Sequence, residues 1–173
     1  MAITRLGGAN AITGTLPAAN INDTSIGNIT ALPAGVGGKV LQTVYNITST
    51  ETSSTTTTWV DVLSLNITPS STSNKILVLA SCGGAIKSGG DTQLNLRVTR
   101  DGSQIGEIKG NNTGDSSTLF TLGGTINELD EPASSSALTY KIQIQNRDAS
   151  GTVLICQNGA DTSLTLMEIA GWL

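Results

Sequence analysis

Histidine does not occur in the 173 residues. Its absence removes Ser-His-Asp and Cys-His catalysis and every zinc site that needs an imidazole. Cysteine occurs only at Cys82 and Cys156, too few for an all-cysteine zinc site. Each ends an apolar run and reads as a buried, reduced thiol, with a bridge between the two as the lesser alternative. Lysine and arginine total 9 against 13 acidic residues, a net charge of −4. Such a chain lacks the clustered base that a phosphate backbone requires, which argues against nucleic acid as a partner. Aromatic residues make up 3% of the chain. Trp59 and Phe120 sit in strand-like patterns and read as core, as do most of Tyr45, Tyr140 and Trp172. No apolar run approaches the ~18 residues of a membrane helix. No continuous apolar segment follows Arg5, so no signal peptide is expected, and synthesis and assembly are placed in a cytoplasm. The Asn-X-Thr triplets beginning at Asn22, Asn28, Asn46, Asn66 and Asn111 would then never meet the glycosylation machinery.

What the chain has in plenty is serine and threonine, roughly a quarter of all residues, together with 20 glycines. Long helix formers are few and β-branched residues many, which favours strands and turns. The length suits one domain with a real core.

Residues 1–37 differ from the rest. Ile3, Leu6, Ile12, Leu16, Ile21, Ile26, Ile29 and Leu32 are isolated among Gly, Asn, Ala and Thr, and keep neither the helical nor the strand period. Such a segment cannot offset its ordering entropy alone. It is expected to be an extended arm for assembly or attachment, held against a neighbour.

Residues 38–173 read as a β-sandwich domain. Strands are expected over Lys39–Ser49, Trp59–Ile67, Ile76–Cys82, Thr92–Arg100, Ile105–Ile108, Thr118–Leu129, Leu138–Gln145, Thr152–Gln157 and Ser163–Ala170. Ile76 to Leu79 is apolar on both parities, which predicts a strand buried on both faces. Leu94, Leu96 and Val98 alternate with Asn95, Arg97 and Thr99, the pattern of a strand with one wet face. Asp101-Gly102 is the strongest hairpin signal in the chain. Thr50–Thr58 and the glycine-flanked 83–90 segment read as loops, and Gly123-Gly124 as a bulge or a close backbone approach. The loops after Pro69 and Pro132 share a proline-plus-serine form and are expected to cap the same end. About eight or nine strands at this spacing, with no amphipathic helix, predict an all-β antiparallel sandwich of jelly-roll type.

Carboxylates are the remaining chemistry. Asp130 and Glu131 are adjacent, so in extended backbone they diverge. Asp61, Glu107, Asp130 and Glu168 could serve a glycosidase only if the fold paired them. Asp91, Asp101, Asp115, Asp148 and Asp161 fall in expected loops without the ligand alternation of an EF-hand, and turns favour Asp for backbone reasons. Gly83-Gly84 and Gly89-Gly90 lack the Lys-Ser/Thr of a phosphate-binding loop. No catalytic, cofactor-binding or metal-binding set is assigned.

Five stretches carry a resemblance: Met1–Thr15, Gly38–Gln42, Ile67–Val78, Leu138–Gln143 and Ser163–Ile169. In this order they resemble the small virion proteins of tailed phages that infect cyanobacteria and other aquatic bacteria. The resemblance spans nearly the whole chain. It implies a non-enzymatic surface protein of the virion, a homotrimer, with other virion proteins such as the major capsid protein or a tail or collar protein as partners. Longer members set such a domain behind a shaft, whereas here only the arm precedes it. The first reading is therefore a capsid cement or decoration protein. The alternative is a tail or head fibre whose sandwich binds a receptor or host surface glycan. Neither nucleic acid nor membrane is an expected partner.

Overall fold

The computed structural model describes residues 40–89, 91–110, 119–121 and 123–171, with backbone alone for 119–121. The arm, Asp115, Trp172 and the side chain of Phe120 lie outside the described residues. Twelve strands run β1 (Val40–Thr48), β2 (Thr52–Ser54), β3 (Val60–Ile67), β4 (Lys75–Cys82), β5 (Ala85–Ser88), β6 (Leu94–Arg100), β7 (Ser103–Lys109), β8 (Leu119–Thr121), β9 (Gly124–Asp130), β10 (Leu138–Asn146), β11 (Thr152–Ile155) and β12 (Thr162–Ile169). They form three four-stranded antiparallel sheets: sheet A, β1-β12-β4-β9; sheet B, β2-β11-β5-β8; and sheet C, β3-β10-β6-β7.

One turn organises the whole. Asp101 and Gly102 have φ of 47° and 85°, the left-handed pair that a two-residue hairpin of matching twist requires. From that tip every strand pairs with its mirror: β6 with β7, β5 with β8, β4 with β9, β3 with β10, β2 with β11 and β1 with β12. The domain is a single long hairpin, rolled so that its eight long strands make two facing sheets. This nesting is the jelly roll. The four short strands, each within the connection between two long ones, make sheet B at one end. At the other end the loops after Pro69 and Pro132 do lie side by side, since Ile76 pairs with Asp130 and Lys75 Nζ meets Glu131 Oε1 at 2.5 Å.

Between sheets A and C lies one apolar core, built by strand parity. Ile76, Val78, Leu164, Leu166 and Ile126 enter from sheet A; Leu63, Val98, Tyr140, Ile142 and Ile144 enter from sheet C. β10 keeps strict alternation through its length, as its sequence pattern requires. β3 changes parity at a bulge, where Ile142 opposes Leu63 but Gln143 opposes Asp61, leaving Val62 as the extra residue.

Several expectations are corrected. Thr52–Ser54 and Ala85–Ser88 are strands of sheet B rather than loop, fixed by pairing with β11 on either side instead of by apolar pattern. The single strand expected over 118–129 is two, β8 and β9 in different sheets. Gly123 breaks it: its φ is 109°, and a Cβ there would stand 1.9 Å from the Cys82 carbonyl oxygen. β4 is buried on one face only, because Leu77 and Leu79 turn to the outer side of sheet A and are half-exposed. The wet face expected of β6 is largely closed, with Asn95 and Thr99 buried between the flanking strands β10 and β7. Trp59 is half-buried and lies outside the core, its ring 4.2 Å from the Arg97 guanidinium. Among the described residues no helix is long and apolar enough to cross a membrane.

Candidate interaction surfaces

Parity in sheet A leaves an outer face as definite as the inner one. The register places Thr43, Met167, Leu77 and Leu129 in one row across the four strands. The next row is Tyr45, Thr165, Leu79 and Asn127; the next is Ile47, Ser163, Ser81 and Thr125. Val40 and Ile169 begin a further row above them. Val40, Leu41, Tyr45, Ile47 and Leu129 are the exposed large hydrophobics among the described residues, with Tyr45 57% and Leu129 53% exposed. All five sit on β1 or β9, the two edge strands of this one sheet. Scattered apolar residues on a surface need no explanation, but a contiguous patch marks an interaction site. Tyr45 is thus a surface aromatic rather than a core one. β1 also presents an unpaired backbone edge on one side among the described residues.

Beneath the β1 end of this face lies a buried carboxylate. Glu168 alternates into the interior from β12 and is 1% exposed. Its Oε1 accepts from the Ser70 amide at 2.7 Å, the Ser70 hydroxyl at 2.7 Å and Asn74 Nδ2 at 2.5 Å; its Oε2 accepts from Gln42 Nε2 at 2.6 Å. Gln42 also donates to the Thr68 carbonyl at 2.7 Å, and Asn74 Oδ1 accepts from the Gly171 amide at 3.0 Å. One side chain thereby ties β1, the 68–74 loop and the end of β12 together. Burial alone would raise its pKa, but the hydrogen bonds from Asn74, Gln42 and Ser70 outweigh burial and hold it below the ordinary 4.5.

An ion pair joins the two facing sheets. Arg100 Nη1 on β6 lies 2.5 Å from both Asp130 carboxylate oxygens on β9, and the Tyr140 hydroxyl on β10 donates to Asp130 Oδ2 at 2.6 Å. Tyr140 is fully buried.

The outer face of sheet C is polar and ordered in rows. Glu107, Arg97, Gln143 and Asp61 cross it in one row, and Lys109, Asn95 and Gln145 in the next. A groove of about 580 Å³ runs over it, lined by Gln93, Asn95, Glu107, Lys109, Gly110, Gln145 and Arg147.

Of the four carboxylates that a glycosidase would need together, Asp61 and Glu107 lie on sheet C, while Asp130 and Glu168 lie on sheet A in one row on either side of Ile76. Asp61 and Glu107 share a row but stand three strand spacings apart, roughly 14 Å at the usual interstrand distance, beyond the span of a catalytic pair. Asp61 accepts from Lys141 and Gln143, while Asp130 and Glu168 are engaged internally as described. Asp91, Asp101, Asp148 and Asp161 are exposed, and Asp101 Oδ1 accepts from the Thr139 amide at 2.9 Å, an ordinary turn role. No cluster of three metal-ligating side chains occurs among the described residues. Cys82 and Cys156 are both free and buried at the sheet B end, and burial, with Cys156 nearby, pushes the Cys82 thiol up to about 12. Sequence reasoning missed the Glu168 hub and the sheet A patch. The one available signal for the patch was the double-parity apolar run in β4 together with Tyr45 and Ile47.

No protein-family model matches the sequence, and no curated protein is significantly similar to it. Among solved structures, the chain is similar to the crystal structure of the infectious bursal disease virus VP2 subviral particle. That likeness has 12% identity and a TM-score of 0.42, over 77% of this chain and 39% of that one. It is also similar to an insecticidal delta-endotoxin from Bacillus thuringiensis, with 12% identity and a TM-score of 0.30, over 71% of this chain and 20% of that one. The chain spans well under half the length of either neighbour, and likenesses this slight carry no argument about function.

Proposed function

We propose that the chain is a non-enzymatic structural protein of a bacteriophage virion, a homotrimeric capsid cement or decoration protein anchored to the particle through residues 1–37. The observation that carries the assembly part of this reading is the set of exposed apolar side chains on the edge strands of sheet A, Val40, Tyr45 and Ile47 on β1 and Leu129 on β9, with half-exposed Met167 and Leu77 in the row between them. A hydrated protein of low charge gains nothing from leaving such a face in water, whereas burial against a second copy recovers roughly 25 cal/mol per Å² of apolar area. The virion part rests on the five sequence stretches and on the composition of the arm, which lacks the apolar periodicity to hold itself in place. β1 begins at Val40, directly after that arm, so the face and the anchor are adjacent in the chain.

The partners are then other copies of the chain and the major capsid protein. Removing residues 1–37 is expected to leave a folded sandwich with unchanged far-ultraviolet circular dichroism that no longer joins particles. Incorporation at the wild-type level would defeat the proposal. Counting copies in purified particles separates the capsid from a tail or collar: a cement protein matches the capsid subunits in number, and a fibre falls far below them.

A further inference from the structure

Among the described residues, the edges of sheet A are open where those of sheet C are protected. From β1, Asn46 Nδ2 donates to the Ser64 carbonyl at 3.0 Å and Gln42 Nε2 to the Thr68 carbonyl at 2.7 Å, so side-chain amides cover the β3 edge of sheet C. The other edge of sheet C, β7, carries Glu107 and Lys109. A covered or charged edge resists pairing with another chain. β1 itself has no such protection. It runs for nine residues without a charge or a proline, and its one bulge lies at its start, between Val40 and Gln42. Thr125, Asn127 and Leu129, the outward residues of β9, are uncharged as well. The whole face follows suit: the rows that begin at Thr43, Tyr45 and Ile47 contain no charged side chain. The outer face of sheet C, by contrast, presents Asp61, Arg97, Glu107, Lys109 and Lys141.

Strand direction and sheet width then define an arrangement. Sheet A has four antiparallel strands, so β1 and β9 run in opposite directions. When two copies point the same way along an axis parallel to their strands, β1 of one lies antiparallel beside β9 of the next. That contact is head-to-tail, the kind that closes into a ring. At about 4.8 Å per strand, sheet A is roughly 19 Å wide. Three such sheets set edge to edge as a triangular prism each stand about 5.5 Å from the axis, close to half of the ~10 Å between packed sheets. Side chains from three copies therefore fill the interior, whereas a ring of four would hold each sheet roughly 10 Å from the axis around a wet channel. Over about 27 Å of strand length the three faces cover roughly 1,500 Å², above the ~1,000 Å² of a specific interface. We infer that three copies of sheet A form such a prism, with β1 of each copy against β9 of its neighbour and the uncharged faces turned to the axis. This rests on the homotrimer proposed above and adds which surface meets which. A threefold axis along the strands keeps the rows level, so Thr43 of one copy comes beside Leu129 of the next, two residues of one row.

The test is cross-linking of the full chain carrying both Thr43→Cys and Leu129→Cys, treated with a short bismaleimide and run on a denaturing gel. Both positions are exposed, and the native Cys82 and Cys156 are buried. A closed product of three chains is expected, with nothing larger, while each single variant alone stays a single chain. A single variant that links to itself would mean that like edges meet, and a ladder beyond three that the ring does not close. A double variant that stays single-chain would give the edges to another occupant, residues 1–37 or a capsid protein. Each of these results overturns the inference. Sedimentation separates its failure from that of the trimer: three chain masses with the wrong link remove the pairing alone, and one chain mass removes both.

Discussion

Asp130→Ala is expected to lower the stability of the sandwich by about 3 kcal/mol, and the thermal midpoint by on the order of 10 °C. The carboxylate sits where the two sheets meet, taking both of its oxygens to Arg100 and one to the Tyr140 hydroxyl. Removing it leaves the guanidinium with only the Tyr140 hydroxyl oxygen to donate to, and the buried phenol proton with no acceptor. Breaking a fully buried pair from one side costs about 3–5 kcal/mol. The lower figure applies here because 25% of the Arg100 side chain remains exposed. Asp130→Asn should cost less, since its carbonyl oxygen still accepts from Tyr140. In a double-mutant cycle with Arg100→Ala, the second substitution should add little to the first. Additive losses, measured by urea unfolding at fixed protein concentration, would mean that the pair is not coupled across the sheets.

Glu168→Ala is the second large effect, about 3 kcal/mol, because it strands the Ser70 amide, Asn74 and Gln42 without their shared acceptor. It differs from Asp130 in having no cation, so its contribution depends on pH in a readable way. The folded pKa is held below the ordinary 4.5. The stabilisation is therefore complete above about pH 4.5 and is lost as pH falls through the lower folded value. Urea unfolding at pH 7 and pH 3 should show a steeper loss for the wild type than for Glu168→Gln, whose neutral amide does not titrate. Parallel losses in the two proteins would assign the acid sensitivity to other carboxylates. Because the 68–74 loop hangs from Glu168, proteolysis there should also quicken in the variant.

How far the sequence foretells this molecule depends on which residues are asked. β10 declares itself through Leu138, Tyr140, Ile142 and Ile144, and Asp101-Gly102 announces the tip of the rolled hairpin, since each rests on local chemistry. Sheet B does not declare itself. Thr52–Ser54 is a polar segment that becomes a strand only because β11 lies beside it, and Ala85–Ser88 is too short for a period to register. The run Ile76–Leu79 misleads for a related reason. Apolar residues on both parities are compatible with burial on two faces or with one face left for a partner, and the single chain does not distinguish them. Glu168 is invisible for a further reason: a Glu amid Leu166, Met167 and Ile169 gains its meaning from Ser70 and Asn74, far away in sequence. The hydrogen bonds that join Gln93 and Asn95 to Arg147 and Gln145 are equally silent, since alternation alone marks only a polar face.

The claim on which the account turns is that the outer face of sheet A is covered by another copy of the chain. Sedimentation equilibrium of the full chain, alone and with Tyr45→Glu and Leu129→Glu together, tests it directly. Both positions are more than half exposed, so neither substitution disturbs the core. The account predicts three times the chain mass for the wild type and dissociation to the single chain in the variant, with the circular dichroism of both unchanged. A wild-type chain that sediments as a monomer, or a variant that keeps the trimer mass, would contradict it.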